Sequence, residues 1–168
     1  MNLKTNDDPQ LKQGYLYAVR LLTMTKRSEK ELVKRLKEKG YPEETITQIT
    51  ERLKTQGILN DQKLLNETIH WSIQSKKYGR NRIFIELRKR GIAASEIEDA
   101  LKNYSKEIER ETASEVAEAR WEKLKKIEPK KRKKRLYDFL ISRGFDFELA
   151  REITTQLEAN ANNEKFRN

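Results

Sequence analysis

Cysteine is absent from this 168-residue chain and histidine occurs once, as His70. No disulfide framework and no thiolate metal site can be drawn from such a sequence, and the absence fits a reducing compartment. A zinc site would need several converging carboxylates, and no acidic spacing stands out as one; neither a metal nor another cofactor is expected. Six glycines and three prolines leave little material for turn-bounded strands or long loops. No apolar run approaches the length that crosses a bilayer, and the N-terminus lacks the apolar segment of a secretory signal. A soluble cytoplasmic protein with no membrane partner is expected. Hydrophobic residues make up only 35% and charged residues 38%, with a mean hydropathy of −0.98. Such a mixture is compatible with disorder, but sustained periodicity argues instead for thin, charged helical layers.

That periodicity is organised by a repeat. A Leu, three mostly charged residues, a Gly and a large apolar residue occur as Leu36-Lys37-Glu38-Lys39-Gly40-Tyr41, Leu87-Arg88-Lys89-Arg90-Gly91-Ile92 and Leu140-Ile141-Ser142-Arg143-Gly144-Phe145. The glycines stand 51 and 53 residues apart, room for about three short helices per unit. The flanks match as well: Leu32, Ile83 and Leu136 precede the glycines by eight, and Ile49, Ala100 and Ile153 follow them by nine. Spacings of three and four on both sides place each glycine between two amphipathic helices. Gly40, Gly91 and Gly144 are therefore expected as left-handed helix terminators, structural corners and not phosphate cradles.

The reading is all-α: an elongated tandem array of three three-helix repeats. The repeats cover 12–61, 62–111 and 112–158, between polar tails at 1–11 and 159–168. Their helices are expected near 12–25, 28–39 and 43–56; 62–77, 80–90 and 95–109; and 112–127, 131–143 and 147–158. Ser28-x-x-Glu31, Ser95-x-x-Glu98 and Thr112-x-x-Glu115 have the pattern of capping boxes. Asp61 and Asp146 suit N-caps, Pro42 a first turn, and Gly57 and Gly79 further helix ends.

Charge follows the same period. The windows 26–39, 76–90 and 120–135 sum to about +4, +6 and +8, against +10 for the whole chain, so the remainder is net acidic. Acids gather on the helix after each glycine, for example Glu43 and Glu44, Glu96 and Glu98, Asp146 and Glu148. A helix-turn-helix reader of the major groove would bring that acidic N-terminus against phosphates, which repels it. The basic middle helices can instead run along a polyanionic groove, or simply pair with their acidic neighbours. Candidate partner or nucleic-acid contacts are Lys76, Lys77, Arg80, Arg82, Arg88, Lys89, Arg90, Lys130, Lys131 and Arg132.

No catalytic constellation emerges, and an enzyme is not expected. His70 lies beside Trp71 on an amphipathic stretch and reads as an exposed or packed residue, not as a base. Gly79-Arg80-Asn81-Arg82 is too short and too charged for a phosphate loop. Trp71, Trp121, Tyr137 and Phe145 can stack bases, but most occupy the apolar stripe and read first as core.

With these residues laid out, the chain resembles the bacterial regulatory protein RecX family, modulators of the RecA recombinase, from about Tyr15 to Leu157. The motifs that carry the resemblance are Arg27-Ser28-Glu29-Lys30-Glu31-Leu32 with the Gly40 hexamer, and Gly79-Arg80-Asn81-Arg82-Ile83 with Glu86 and the Gly91 hexamer. The last is Ser142-Arg143-Gly144-Phe145. Where the family often has Leu-Asp-Asp followed by Phe-Ala, this chain has Leu59-Asn60-Asp61 and Leu64-Leu65. The resemblance implies tandem three-helix repeats lying in the groove of the RecA filament on single-stranded DNA. It further implies inhibition of strand exchange, ATP hydrolysis and repressor cleavage. The expected partners are the RecA filament and single- and double-stranded DNA, met by a monomer. The alternatives are a general basic DNA-binding protein acting without RecA, and a helical adaptor whose charge maintains solubility.

Overall fold

The computed structural model describes residues 8–165. Among them are nine helices and no strand: α1 Pro9–Met24, α2 Glu29–Glu38, α3 Glu43–Thr55, α4 Asp61–Gln74, α5 Arg80–Lys89, α6 Ala94–Leu101, α7 Lys106–Lys123, α8 Pro129–Ser142 and α9 Phe147–Lys165. The three helices of the first repeat pack on one another, as do the three of the third. The described residues group into two compact units. One is built from the chain up to Glu67 together with Leu87–Ala93, the other from Thr68–Glu86 together with the chain from Ala94 on. The middle repeat thus contributes to both units.

The glycine corners have one geometry. Gly40, Gly91 and Gly144 have φ of +89°, +92° and +88°. The amide after each donates to the Leu carbonyl five residues back: Tyr41 to Leu36 (3.2 Å), Ile92 to Leu87 (3.3 Å) and Phe145 to Leu140 (3.2 Å). Each glycine amide donates to the carbonyl three back, completing a Schellman end that satisfies orphan carbonyls. Leu36, Leu87 and Leu140 are all fully buried. Around Leu36 collect Ala18, Leu32, Ile46, Ile49, Leu53 and Leu59; around Leu140 collect Ala117, Leu136, Phe145, Ala150 and Ile153, of which Leu136, Ala150 and Ile153 stand where Leu32, Ile46 and Ile49 do.

Several expected boundaries shift, each for a local reason. The third helix of the middle repeat stops at Leu101 and not near 109. Tyr104 turns inward there, only 2% exposed, and its hydroxyl donates to the Tyr78 carbonyl at 3.2 Å. Ser105 then caps α7 by accepting from the Ile108 amide. Thr112 therefore caps nothing; buried inside α7, it donates to the Ile108 carbonyl at 2.8 Å. Ser95 lies within α6, which opens at Ala94, and Pro42 is the N-cap residue of α3, not part of its first turn. The Ser28 capping box is present as expected, and Asp146 accepts from the Leu149 amide at 2.9 Å. Asn60, not Asp61, caps α4 by accepting from the Lys63 amide at 2.8 Å. Asp61 instead reaches the start of α2, where its carboxylate accepts from the Glu29 amide at 2.9 Å. Gly57 ends α3 in the left-handed region, but Gly79 does not; the left-handed residue near it is Lys77, with φ of 53°. Helix α9 continues through the expected tail to Lys165. Residues 1–7 of the expected N-terminal tail lie outside the described residues.

Candidate functional site

The second helix of each repeat carries the basic windows, so the question is which cations the fold itself uses. Within the first unit, the Arg90 guanidinium donates to the Lys26 carbonyl at 2.6 Å and pairs with Glu31 at 3.1 Å. The Arg90 carbonyl, freed by the end of α5, accepts from the Ser28 hydroxyl. Burial works to raise the Glu31 pKa, but hydrogen bonds from Arg90 and the Ser28 amide, with the Arg90 charge, outweigh it and leave it lowered. The start of α2 is thus seated on the end of α5.

The second unit repeats the device one register on. Arg143, like Arg90 the residue before its glycine, donates to the Lys76 carbonyl at 2.5 Å and lies 5.6 Å from the Tyr78 ring centre. The Gly79 amide donates to the Arg143 carbonyl (2.9 Å) and the Asn81 amide to that of Gly144 (3.1 Å). Gly79 is small for this reason: a Cβ there would meet the Gly144 carbonyl carbon at 2.5 Å. The resulting seat holds Arg82, which donates to the Ser142 carbonyl at 3.0 Å, pairs with Glu86 at 3.1 Å and stacks 4.7 Å from the Tyr78 ring. The Arg80 amide donates to Glu109 at 2.8 Å and its guanidinium to the Tyr104 carbonyl. Burial is the main cause that raises the Glu109 pKa, against the Arg80 bonds that lower it. Burial likewise pushes the Tyr104 phenol up to about 12.

Of the ten candidate contacts, Arg80, Arg82 and Arg90 are therefore held by the fold. Lys77 pairs with Glu115 at 2.8 Å. Arg132 stacks 3.6 Å from the Trp121 ring and donates to the Trp121 carbonyl at 2.8 Å; burial lowers its pKa. Lys76 lies 4.7 Å from the centre of the Trp71 ring, and that indole is 51% exposed. Trp121 and Phe145 are core, at 7% and 1% exposure, and Tyr137 is half-buried. Arg88 is exposed and spends one nitrogen on the Ile92 carbonyl at 2.7 Å. Lys89 and Lys130 are exposed with no partner among the described residues, and Lys131 has a surface pair with Glu128 at 3.4 Å.

Sequence reasoning passed over Lys133, which Glu158 holds, and three more residues. Arg143 had a signal, since it stands where Arg90 does in the repeat. Lys134 had one too, four residues beyond Lys130 on the same helix face. Arg151 had none, because α9 brings it to α8 only in three dimensions. It shares a cleft with Lys130, Lys133 and Lys134.

Nine helices among the described residues, left-handed glycine corners at a fixed place in each repeat, and second helices seated end on end define a tandem three-helix repeat protein. Sequence models of the first, second and third three-helix domains of RecX match residues 15–53, 60–101 and 107–154, in that order. The regulatory protein RecX of Clostridium perfringens strain 13 is 37% identical over 145 residues, covering 85% of this chain and 68% of that protein. That of Pelodictyon phaeoclathratiforme is 33% identical over 132 residues, covering 79% and 81%. The chain belongs to the RecX family of regulatory proteins. Its fold matches the crystal structure of RecX from Lactobacillus salivarius with a TM-score of 0.78 at 22% identity, covering 89% of this chain and 97% of that one. A second RecX crystal structure matches with a TM-score of 0.77 at 26% identity, covering 87% and 73%. No helix among the described residues is long and apolar enough to cross a membrane.

Proposed function

We propose that this chain binds the RecA filament assembled on single-stranded DNA and lowers its strand-exchange, ATPase and coprotease activities. The observation that carries the reading is the presence of all three RecX domains in family order. Tandem modules favour an extended partner, because each weak contact raises the effective concentration of the next. The exposed cations Lys89 and Lys130, with Arg88 and Lys131, which are exposed though bonded to the Ile92 carbonyl and to Glu128, suit a polyanionic groove. They act from a monomer in the cytoplasm, and they extend to double-stranded DNA through the same phosphate chemistry. The test is the DNA-dependent ATPase of RecA titrated with this protein at fixed salt. ATP hydrolysis should fall as protein is added. If hydrolysis stays constant while the protein binds naked single-stranded DNA as tightly as the coated strand, the chain is a general DNA-binding protein and the proposal is overturned.

A further inference from the structure

We infer that the cleft between α8 and α9 is a phosphodiester-binding site, the place where the third repeat meets a nucleic-acid strand. The inference deepens the proposed function and rests on it for the biological context. Lys130, Lys133, Lys134 and Tyr137 occupy one face of α8, at spacings of three and four, and Arg151 and Thr154 face them from α9. Four cations thus surround one concavity whose lining holds no carboxylate. Lys133 is held by Glu158. Lys130, Lys134 and Arg151 have no ion pair or hydrogen bond among the described residues.

The fold pairs several exposed cations across its helices, Lys37 with Glu43, Arg110 with Glu152 through two bonds of 2.5 and 2.6 Å and, in this cleft, Lys133 with Glu158, but it leaves Lys130, Lys134 and Arg151 over. Here it leaves like charges one turn apart, an arrangement that works against the folded state unless an anion joins it. Thr154 offers nothing to a ligand: it is 1% exposed and its hydroxyl donates to the Ala150 carbonyl at 2.6 Å. What the cleft presents is therefore charge and the half-buried ring of Tyr137. Its volume of about 250 Å³ is below that of pockets that enclose a small ligand, so the ligand crosses the cleft as a chain. Three of the four cations are lysines. Point charges on flexible stems follow phosphates in any orientation, whereas carboxylate recognition favours the arginine fork. An aromatic face beside such a row suits a base or sugar. These features select a nucleic-acid strand over an acidic peptide.

The test uses the full chain and a labelled single-stranded oligodeoxythymidylate, with affinity followed over a range of salt. Lys130→Gln with Lys134→Gln should weaken binding about tenfold and flatten the salt slope by about 1.4, two phosphate contacts on a single strand. Arg151→Gln alone should weaken it severalfold, since the site needs both helices. Lys12→Gln with Lys102→Gln, the same charge change elsewhere, should alter affinity less than twofold, and thermal melts should report all variants folded. A loss as large from the Lys12 and Lys102 pair, or none from Arg151→Gln, overturns the cleft. So does polyglutamate competing as well as unlabelled oligonucleotide. The RecA ATPase separates this inference from the function it rests on. If the parent inhibits RecA and the lysine variant still binds the oligonucleotide like the parent, the cleft alone fails. If the cleft variants lose the oligonucleotide but the parent leaves RecA unaffected, the site stands and the regulatory reading fails.

Discussion

Gly40, Gly91 and Gly144 share a backbone conformation but not their surroundings, and the difference is measurable. A side chain at positive φ costs about 1–2 kcal/mol wherever it is placed. At Gly40 a Cβ would find open space, at Gly91 it would meet the Lys30 Cβ at 2.7 Å, and at Gly144 the Arg82 Cα at 2.8 Å and its backbone nitrogen closer still. The outer Lys30 side chain can swing aside, but its Cβ moves only if α2 gives slightly, and at Gly144 it is the backbone of the first turn of α5 that stands in the way. Gly40→Ala should therefore lower stability by about 1 kcal/mol, Gly91→Ala by somewhat more, and Gly144→Ala by at least about 3 kcal/mol, as strain and overlap add. Urea melts of the three variants check the order; equal losses would mean that the seat on α5 contributes nothing. Glu31 offers a second test. Its folded-state pKa lies below the ordinary glutamate value, so its pairing with Arg90 stabilises above that ordinary value and is lost as pH falls through the lowered one. Glu31→Gln keeps the capping box but removes the charge. It should melt below the parent at neutral pH, and the two curves should converge in acid below about pH 4.

The second helices of the first two repeats, α2 and α5, are each seated at the start on the end of the next second helix, and an arginine locks each seat. Arg90 and Arg143 reach back to the main-chain carbonyls of Lys26 and Lys76, which lie a few residues before α2 and α5. Lysine can make one such bond but lacks the broad guanidinium that lies 5.6 and 5.1 Å from the centres of the Tyr78 and Phe139 rings in Arg143. Arg143→Lys should accordingly cost about 1–2 kcal/mol, read as a lower urea midpoint. A change no larger than that of a surface substitution would remove the arginine from this role. The helices and corners were legible in the sequence because glycine at positive φ and three-four spacing are local signals. The break after Leu101 was not. An apolar Tyr104 continues the periodicity of α6 on paper, and only its burial against Tyr78 turns it into a terminator. Asp61 misleads for a related reason. A carboxylate at a helix start looks like that helix's own cap, yet Asn60 takes the place and Asp61 serves α2. The candidate site was legible as a set of basic windows but not as a division of labour. Nothing in the string Arg88-Lys89-Arg90 tells a solvent cation from one locked to a carbonyl across the repeat boundary.

At the scale of the whole molecule, a net charge of +10 overstates what is offered to a partner, because part of it secures the repeats to one another. This division makes charge reversal on α5 and its corner a hazardous experiment unless stability is measured beside function. Arg90→Ala removes a partly buried guanidinium that bonds both Glu31 and the Lys26 carbonyl, and it should cost about 1.5–3 kcal/mol. Arg82→Glu puts an acid beside Glu86 and strips the Ser142 carbonyl of its donor; any loss of the proposed RecA inhibition would carry a loss of folded protein within it. Lys89 stands one residue from Arg90 but is exposed and unpartnered among the described residues. Lys89→Glu should leave the thermal midpoint within the scatter of surface changes, about 0.5 kcal/mol. If α5 faces the nucleoprotein groove, the same variant should raise the protein concentration needed to halve the RecA ATPase, and the increase should shrink as salt screens the contact. Full inhibition by Lys89→Glu at the parent's concentration would remove α5 from the functional surface and leave its charge wholly to the fold.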